Sequence, residues 1–442
     1  MKKFHIVRLG CPKNDADMDN LQGLLESKGY LYEKKPEDSD LIFIDTCGFI
    51  EEAKRESIET IFEYISLKEN HKNLRVIALG CLTERYYNEI KEEIPELDGI
   101  FGVISPKTVV DNVERGLLFF KSNEPETIYK CESRSFPDSY YAYVKIGDGC
   151  SRNCTFCSIP SFKGKPKSRE IEDIKNEVNF LVKNGVKEVI LVSQDNSLYG
   201  VDIYKNQALP KLLDTLNKID GDFWIRVMYL HPDFITQEII DSIHHNEKVL
   251  NYFDIPIQHI SNNILNSMGR LKKKTEIIKI IERIRKEPSA IRTTLMLGFP
   301  GETSKDFEEL MEFVKEVKFE RLGSFRYSKE DGTKAFKMID QVPEKIKINR
   351  QKELMELQSK ISKEILESYV GKIMKVLLEE KENGVYLARS YLDAPEIDGN
   401  VFLKEDEDLK VGEFANVLIS RAYEYDLEGE LKDECPKLIE SK

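Results

Sequence analysis

The run Tyr140-Tyr141-Ala142-Tyr143-Val144-Lys145-Ile146 reads as a strand that passes through Gly147 and Gly149 into Cys150-Ser151-Arg152-Asn153-Cys154-Thr155-Phe156-Cys157. A strand, a glycine turn and three closely spaced thiols set the reading of everything around them. Three thiolates at this spacing can ligate three irons of a 4Fe-4S cluster and leave the fourth iron open to bind and reduce another molecule. A zinc ion would need a fourth ligand, and the chain places no further cysteine or histidine near this loop. Inert core thiols are the remaining alternative.

Outward from that loop, strand-like runs recur at 188–192, 224–230, 252–257, 291–297 and 322–327. Most are separated by amphipathic helical patterns such as 171–183, 209–219 and 307–317. Six βα units are too few to close an eight-stranded barrel, so residues 136–342 are expected to form an open partial barrel with its site at the carboxyl ends of the strands.

Toward the amino terminus three strands each run directly into a cysteine. They are Phe4-His5-Ile6-Val7-Arg8-Leu9-Gly10-Cys11, Leu41-Ile42-Phe43-Ile44-Asp45-Thr46-Cys47 and Val76-Ile77-Ala78-Leu79-Gly80-Cys81. Helical stretches at 18–28 and 50–67 lie between them, so residues 1–121 are expected to be a doubly wound α/β domain with a parallel sheet. Carboxyl ends share one edge of such a sheet, which would bring Cys11, Cys47 and Cys81 together. Three structural cysteines that happen to end strands are the plainer alternative. Residues 122–139, polar and carrying Pro125 and Pro137, read as a linker.

Residues 343–369 read as a linking helix with Leu354, Leu357, Ile361 and Ile365 on one stripe. Short alternating runs follow at 373–378, 385–388, 401–403 and 415–423, broken by Gly384, Gly399 and Gly412. They predict a small antiparallel OB-like β-barrel over 370–437.

The 442 residues include 66 Lys and Arg against 79 Asp and Glu, a net of −13 that argues against a surface coating phosphate backbone. No uncharged apolar run approaches the roughly 18 residues of a membrane span. The apolar run after Met1-Lys2-Lys3 is too short for a signal-peptide core, so a cytoplasmic protein with no membrane partner is expected. Its eight cysteines would then stay reduced. Cys131 and Cys435 have no partner at ligand spacing and receive no role.

The run Gly149-Cys150-Ser151-Arg152-Asn153-Cys154-Thr155-Phe156-Cys157-Ser158-Ile159-Pro160 resembles the radical S-adenosylmethionine (SAM) signature of the methylthiotransferases. With the amino-terminal trio, the resemblance covers nearly the whole chain. It implies that the open iron on the Cys150, Cys154 and Cys157 cluster chelates SAM, whose reductive cleavage yields a 5′-deoxyadenosyl radical. It also implies an auxiliary 4Fe-4S cluster on Cys11, Cys47 and Cys81 that delivers sulfur, and a terminal barrel of the TRAM kind. Phe156 is expected near the adenine of SAM, or as packing for the cluster loop. Gln194 and Gln258 are expected as polar SAM contacts, and Arg292 as a contact to SAM or a substrate carboxylate. No catalytic side chain is expected beyond the cluster ligands.

Two branches of that family compete. Leu9-Gly10-Cys11-Pro12-Lys13-Asn14 and Thr46-Cys47-Gly48-Phe49-Ile50 look like the branch that modifies the β-carbon of an aspartate in small-subunit ribosomal protein twelve. The tRNA branch usually reads Cys-Gln-Met-Asn and Thr-Cys-Ser-Val-Arg. Asp254-Ile255-Pro256-Ile257-Gln258-His259 and Ala422-Tyr423-Glu424-Tyr425-Asp426-Leu427-Glu428-Gly429 agree with the first branch. Asp17-Met18-Asp19, Phe162-Lys163-Gly164 and Asn196 depart from the usual family residues, and Lys163 gives up the planar fork of an arginine.

Residues 370–435 carry 8 Lys and Arg against 17 Asp and Glu, a net of −9. That charge argues against direct RNA binding and for docking a basic ribosomal protein, with a merely solvated face as the alternative. Lys163, Lys165, Lys167 and Arg169 read as a solvated face or as contacts to an anionic substrate. His259 and Glu302 read as loop-shaping hydrogen bonds or as site residues. An electron donor and a sulfur source are implied partners. Two other functions stay open: a tRNA methylthiotransferase acting on the adenosine beside the anticodon, and a non-catalytic iron-sulfur assembly or binding factor.

Overall fold

The computed structural model describes residues 2–136, 139–404 and 409–432; Cys435 lies outside them. The three cysteine-ended strands are β1 (Lys3–Arg8), β3 (Leu41–Thr46) and β4 (Arg75–Gly80). Short strands β2 (Leu31–Tyr32), β5 (Gly99–Phe101) and β6 (Phe119–Phe120) extend the sheet to the order β2-β1-β3-β4-β5-β6, every pair parallel. Runs of two or three residues are too short for alternation to reveal them in sequence. Central β3 is buried along its whole length, as a strand covered on both faces must be. Phe4, Phe43, Ile77 and Phe101 pack beneath the helices Pro12–Ser27 and Pro106–Glu114, while Ile42, Ile44, Val76 and Ala78 pack on the other face with Ile61 of the helix Glu51–Ser66.

The partial barrel begins with β7 (Tyr141–Lys145), followed by a two-residue ribbon of β8 (Gly147–Asp148) and β9 (Lys167–Ser168). Strands β10 (Glu188–Val192) and β11 (Trp224–Val227) continue from β7 in parallel. Strands β12 (Tyr252–Gln258), β13 (Ala290–Leu297) and β14 (Arg321–Arg326) form a second parallel set. A parallel bridge between Ile225 and Val249 joins the two sets, and the Leu230 N–H donates to the Asp254 carbonyl at 2.8 Å. The six expected strands are thus present as one arc that leaves β7 and β14 as free edges.

The amino-terminal layer covers that gap. On the β7 side Lys145 pairs with Asp17, and Arg134 pairs with Asp19 at 2.9 Å. On the β14 side Lys54 pairs with Glu330 at 3.0 Å and Arg85 donates to the Asp331 carbonyl at 3.3 Å. The linker has neither helix nor strand over 121–136 but is fastened down. Its buried Arg134 also binds Glu177 and the Tyr143 carbonyl, and Tyr129 donates to Asp17.

The linking helix Glu344–Glu367 buries Leu354 and Ile361 against the partial barrel, with Leu357 and Ile365 partly covered beside them. It leads into a closed five-stranded barrel of β15 (Ile373–Glu382), β16 (Val385–Ser390), β17 (Val401–Lys404), β18 (Phe414–Ala422) and β19 (Leu427–Leu431), in the order β15-β16-β17-β19-β18. The purely antiparallel expectation needs one correction: β17 and β19 run parallel, because β19 turns back from β18 and closes the barrel on β17. Strand β19 escaped the sequence reading because Leu-Glu-Gly-Glu-Leu holds only two apolar side chains. The small barrel sits against the amino ends of the partial-barrel strands, where Trp224, Tyr252 and Ala290 share a core with Met374, Val376, Tyr386 and Val417. Among the described residues no helix is long and apolar enough to cross a membrane.

Candidate iron-sulfur and SAM site

Adjacent strands β1, β3 and β4 deliver Cys11, Cys47 and Cys81 to one sheet edge. Gly48 lies so close to the next cysteine loop that a Cβ on it would stand 2.8 Å from the Leu82 backbone. Gly80 holds a φ of +109° that side chains rarely adopt, and it turns Cys81 into the short helix Cys81–Arg85. Pro12 opens the helix Pro12–Ser27 directly after Cys11. Asn14 donates to Asp45 at 2.9 Å, and burial pushes that carboxyl up to about 8. Burial likewise pushes the Cys47 thiol up to about 11 and the Cys81 thiol to about 12. A thiolate in these surroundings requires a bound cation, which iron would supply.

The second trio lies on the loop after β8. Gly149, at φ +78°, passes so close to residue 165 that a Cβ would collide with the Lys165 carbonyl oxygen. Cys150 N–H donates to the Gly164 carbonyl at 3.0 Å, Thr155 N–H to the Met268 carbonyl at 3.0 Å, and Ala335 N–H to the Thr155 carbonyl at 2.8 Å. Burial raises the Cys150 thiol and pushes Cys157 to about 12. Gly149→Ala is therefore expected to distort the loop and to lower iron content by about half, one cluster of two. Unchanged iron after reconstitution would contradict this.

The other expected site residues divide. Phe156 packs edge-on to Phe299, 6.4 Å between centroids, on the cluster loop. Gln194 donates to Asp148 at 3.1 Å. Gln258 ends β12 with φ +72°, and its buried side-chain oxygen has no hydrogen-bond partner among the described residues. Arg292 lies near the start of β13, paired with Asp254 at 3.1 Å and with Asp398 of the terminal barrel at 3.4 Å. Glu302 accepts from the Gly298 and Phe299 N–H groups and from Arg350, which is the loop-shaping role. His259 accepts from Ser261 N–H, and burial lowers its pKa to about 3.

The basic run splits. Lys165 and Lys167 are exposed, but Lys163 and Arg169 are both 4% exposed. Arg169 pairs with Glu177 at 2.6 Å. Lys163 reaches Asp148 at 3.2 Å and Asn14 at 3.5 Å, so it ties the two cysteine loops together. Three more residues went unread. Lys13 stands over the Tyr229 ring, 4.1 Å from its centroid; Tyr229 itself has φ +56°; and buried Arg270 bonds the His231 ring at 2.6 Å. Only the motif containing Lys13 gave a local signal, and its burial arises from docking of the two domains.

Among the described residues no group of three or more His, Cys, Asp and Glu converges on a single metal ion. A cluster imposes no such convergence, because each thiolate binds its own iron. Three thiolates with no fourth protein ligand are the donor set that a 4Fe-4S cluster with one open iron takes. Gln258, with its unpartnered oxygen at a strand end, offers a place for a polar ligand.

Residues 144–314 match the radical SAM superfamily, residues 370–431 the TRAM domain, and residues 3–102 the uncharacterized protein family UPF0004. Ribosomal protein uS12 methylthiotransferase RimO of Petrotoga mobilis is 68% identical over 433 residues, covering 98% of this chain and 100% of that protein. The enzymes of the same name from Thermosipho africanus and Thermotoga maritima are 50% and 48% identical, covering 98% and 95% of this chain and 100% and 98% of their own. Among solved structures, the radical SAM methyltransferase TsrM of Kitasatospora setae with cobalamin and a 4Fe-4S cluster bound aligns with a TM-score of 0.54 at 12% identity, over 87% of this chain and 77% of that one, a likeness of fold. Radical SAM membership implies a 4Fe-4S cluster and SAM. The chain belongs to the RimO family of radical SAM methylthiotransferases.

Proposed function

We propose that this protein adds a methylthio group to the β-carbon of an aspartate in ribosomal protein uS12, in the cytoplasm, with one 4Fe-4S cluster on Cys150, Cys154 and Cys157 and an auxiliary one on Cys11, Cys47 and Cys81. The observation that carries this reading is the pairing of two cysteine trios through buried Lys163, in a chain so close to RimO proteins. When bound, SAM and the two clusters supply the radical that removes hydrogen and the sulfur that takes its place.

The chain's own part is to hold the two sites at a set separation and exclude water. Lys163 locks Asn14 to Asp148, and burial opposing its charge is outweighed by Asp148 together with Cys81, Asp17 and Cys11. Phe156, packed edge-on to Phe299, would contact the adenine of SAM. Gln194 and Gln258 serve as polar SAM contacts. Two carboxylates already hold Arg292, whereas Arg270 lies over the Phe156 ring, 5.9 Å from its centroid, with no carboxylate partner among the described residues, so Arg270 is the better contact for the SAM carboxylate. The acidic terminal barrel docks the basic substrate protein. An electron donor and a sulfur source complete the set of partners.

Mass spectrometry of uS12 and tRNA from cells lacking this gene tests the reading: uS12 is expected to lose its methylthio group and tRNA to keep its own. Loss from tRNA alone would favour the nucleic-acid branch. Reconstituted protein is expected to release 5′-deoxyadenosine from SAM under dithionite, and Cys150→Ala to abolish that release. Absence of 5′-deoxyadenosine from the intact protein would favour a non-catalytic assembly or binding factor.

A further inference from the structure

Almost every buried cation among the described residues has a carboxylate within 4.0 Å; Lys145 has Asp17, Lys163 has Asp148 and Arg226 has Glu188. Lys13 and Arg270 are the exceptions. Arg270 still has the His231 ring nitrogen as a partner. Lys13, 7% exposed, has the face of Tyr229 beneath its ammonium and no carboxylate within 4.0 Å among the described residues. Cys11 and Asp148 favour its charge from farther off, and an ammonium with no carboxylate at ion-pair distance keeps room for one from a ligand.

Its location says which anion. Lys13 lies two residues beyond Cys11, in the first turn of the helix Pro12–Ser27, whose amino end favours negative charge. Tyr229 lies just past β11, at the carboxyl edge of the partial barrel. The ammonium therefore stands between the auxiliary trio and the strand ends, where a carbon that meets both centres must lie. Tyr229 is a rigid platform: its N–H donates to Asp254 at 2.9 Å and its carbonyl accepts from Asn196 N–H at 3.0 Å. An adenosine presents no carboxylate.

We propose that Lys13, held over Tyr229, recognises the side-chain carboxylate of the substrate aspartate, and so selects an acidic protein side chain over a nucleoside. This rests on the functional reading above.

The test is binding of purified uS12, and of uS12 with the target aspartate changed to asparagine, to the cluster-reconstituted full chain. The wild type is expected to prefer the aspartate form by about tenfold or more, the scale of one charge-assisted pair. Lys13→Met is expected to bind both forms alike with unchanged iron content, and Lys13→Arg to keep most of the preference. Equal binding of both forms by the wild type, or a preference that survives in Lys13→Met, overturns the proposal. So does iron loss in Lys13→Met, which would make Lys13 a support for the cluster or for a sulfur anion. Failure of the wild type to bind either form strikes the uS12 reading itself and takes this proposal with it.

Discussion

Replacing Cys81 by alanine is expected to abolish methylthio transfer while cleavage of SAM to 5′-deoxyadenosine persists. Cys81 is buried at the amino end of its own short helix in the first domain, whereas the Cys150, Cys154 and Cys157 loop is fastened by backbone bonds to Gly164 and Met268 of the partial barrel. One trio can therefore lose a thiol without unseating the other. Iron is expected to fall from about eight to about four per chain, and methylated sulfur on uS12 to drop below detection. A variant that still methylthiolates uS12 at the wild-type level would refute the assignment of Cys81 to the sulfur-delivering site.

Glu188→Gln is expected to destabilise the junction between the partial barrel and the terminal barrel by about 3–5 kcal/mol. Glu188 is 0% exposed and lies between Arg226 at 2.6 Å and Arg389 of the terminal barrel at 2.7 Å. Removing its charge leaves buried Arg226 without a carboxylate and Arg389 with Glu379 alone. Burial opposes the carboxylate, but the two arginines outweigh it and lower its pKa. Stability from this group is thus present above the ordinary glutamate range and is lost as pH falls through the lowered folded-state value. The chain's single tryptophan, Trp224, packs against Phe414 at 4.7 Å across this junction, so its fluorescence during denaturation reports the effect directly. A shift smaller than about 1 kcal/mol would show that the triad is not what holds the two barrels together.

The parts legible in sequence were those in which local pattern and tertiary role coincide. Cysteines at the ends of apolar runs reached one sheet edge because parallel strands share their direction, and the strand runs of the partial barrel were apolar enough to stand out. The unread parts depend on partners far away in the chain. Lys163 looks like one member of a solvated basic run until Asn14, 149 residues earlier, and Asp148 close over it. Lys13 looks like an ordinary first-turn lysine until the partial barrel brings Tyr229 beneath it. Arg292 looked free to meet a ligand because nothing near it in sequence announced Asp398. Strand β19 lacked the apolar alternation that marks its neighbours.

Tyr229, just past β11, and Gln258, the last residue of β12, are both twisted into the left-handed region at +56° and +72°. Each imposes a penalty of about 1–3 kcal/mol that glycine would relieve. Breeding this protein for heat tolerance alone would therefore favour glycine at both places, removing the aromatic platform and the amide together. The hardier descendants would be blunter catalysts, and the temperature ceiling of the natural chain is partly set by the tools it keeps at its strand tips.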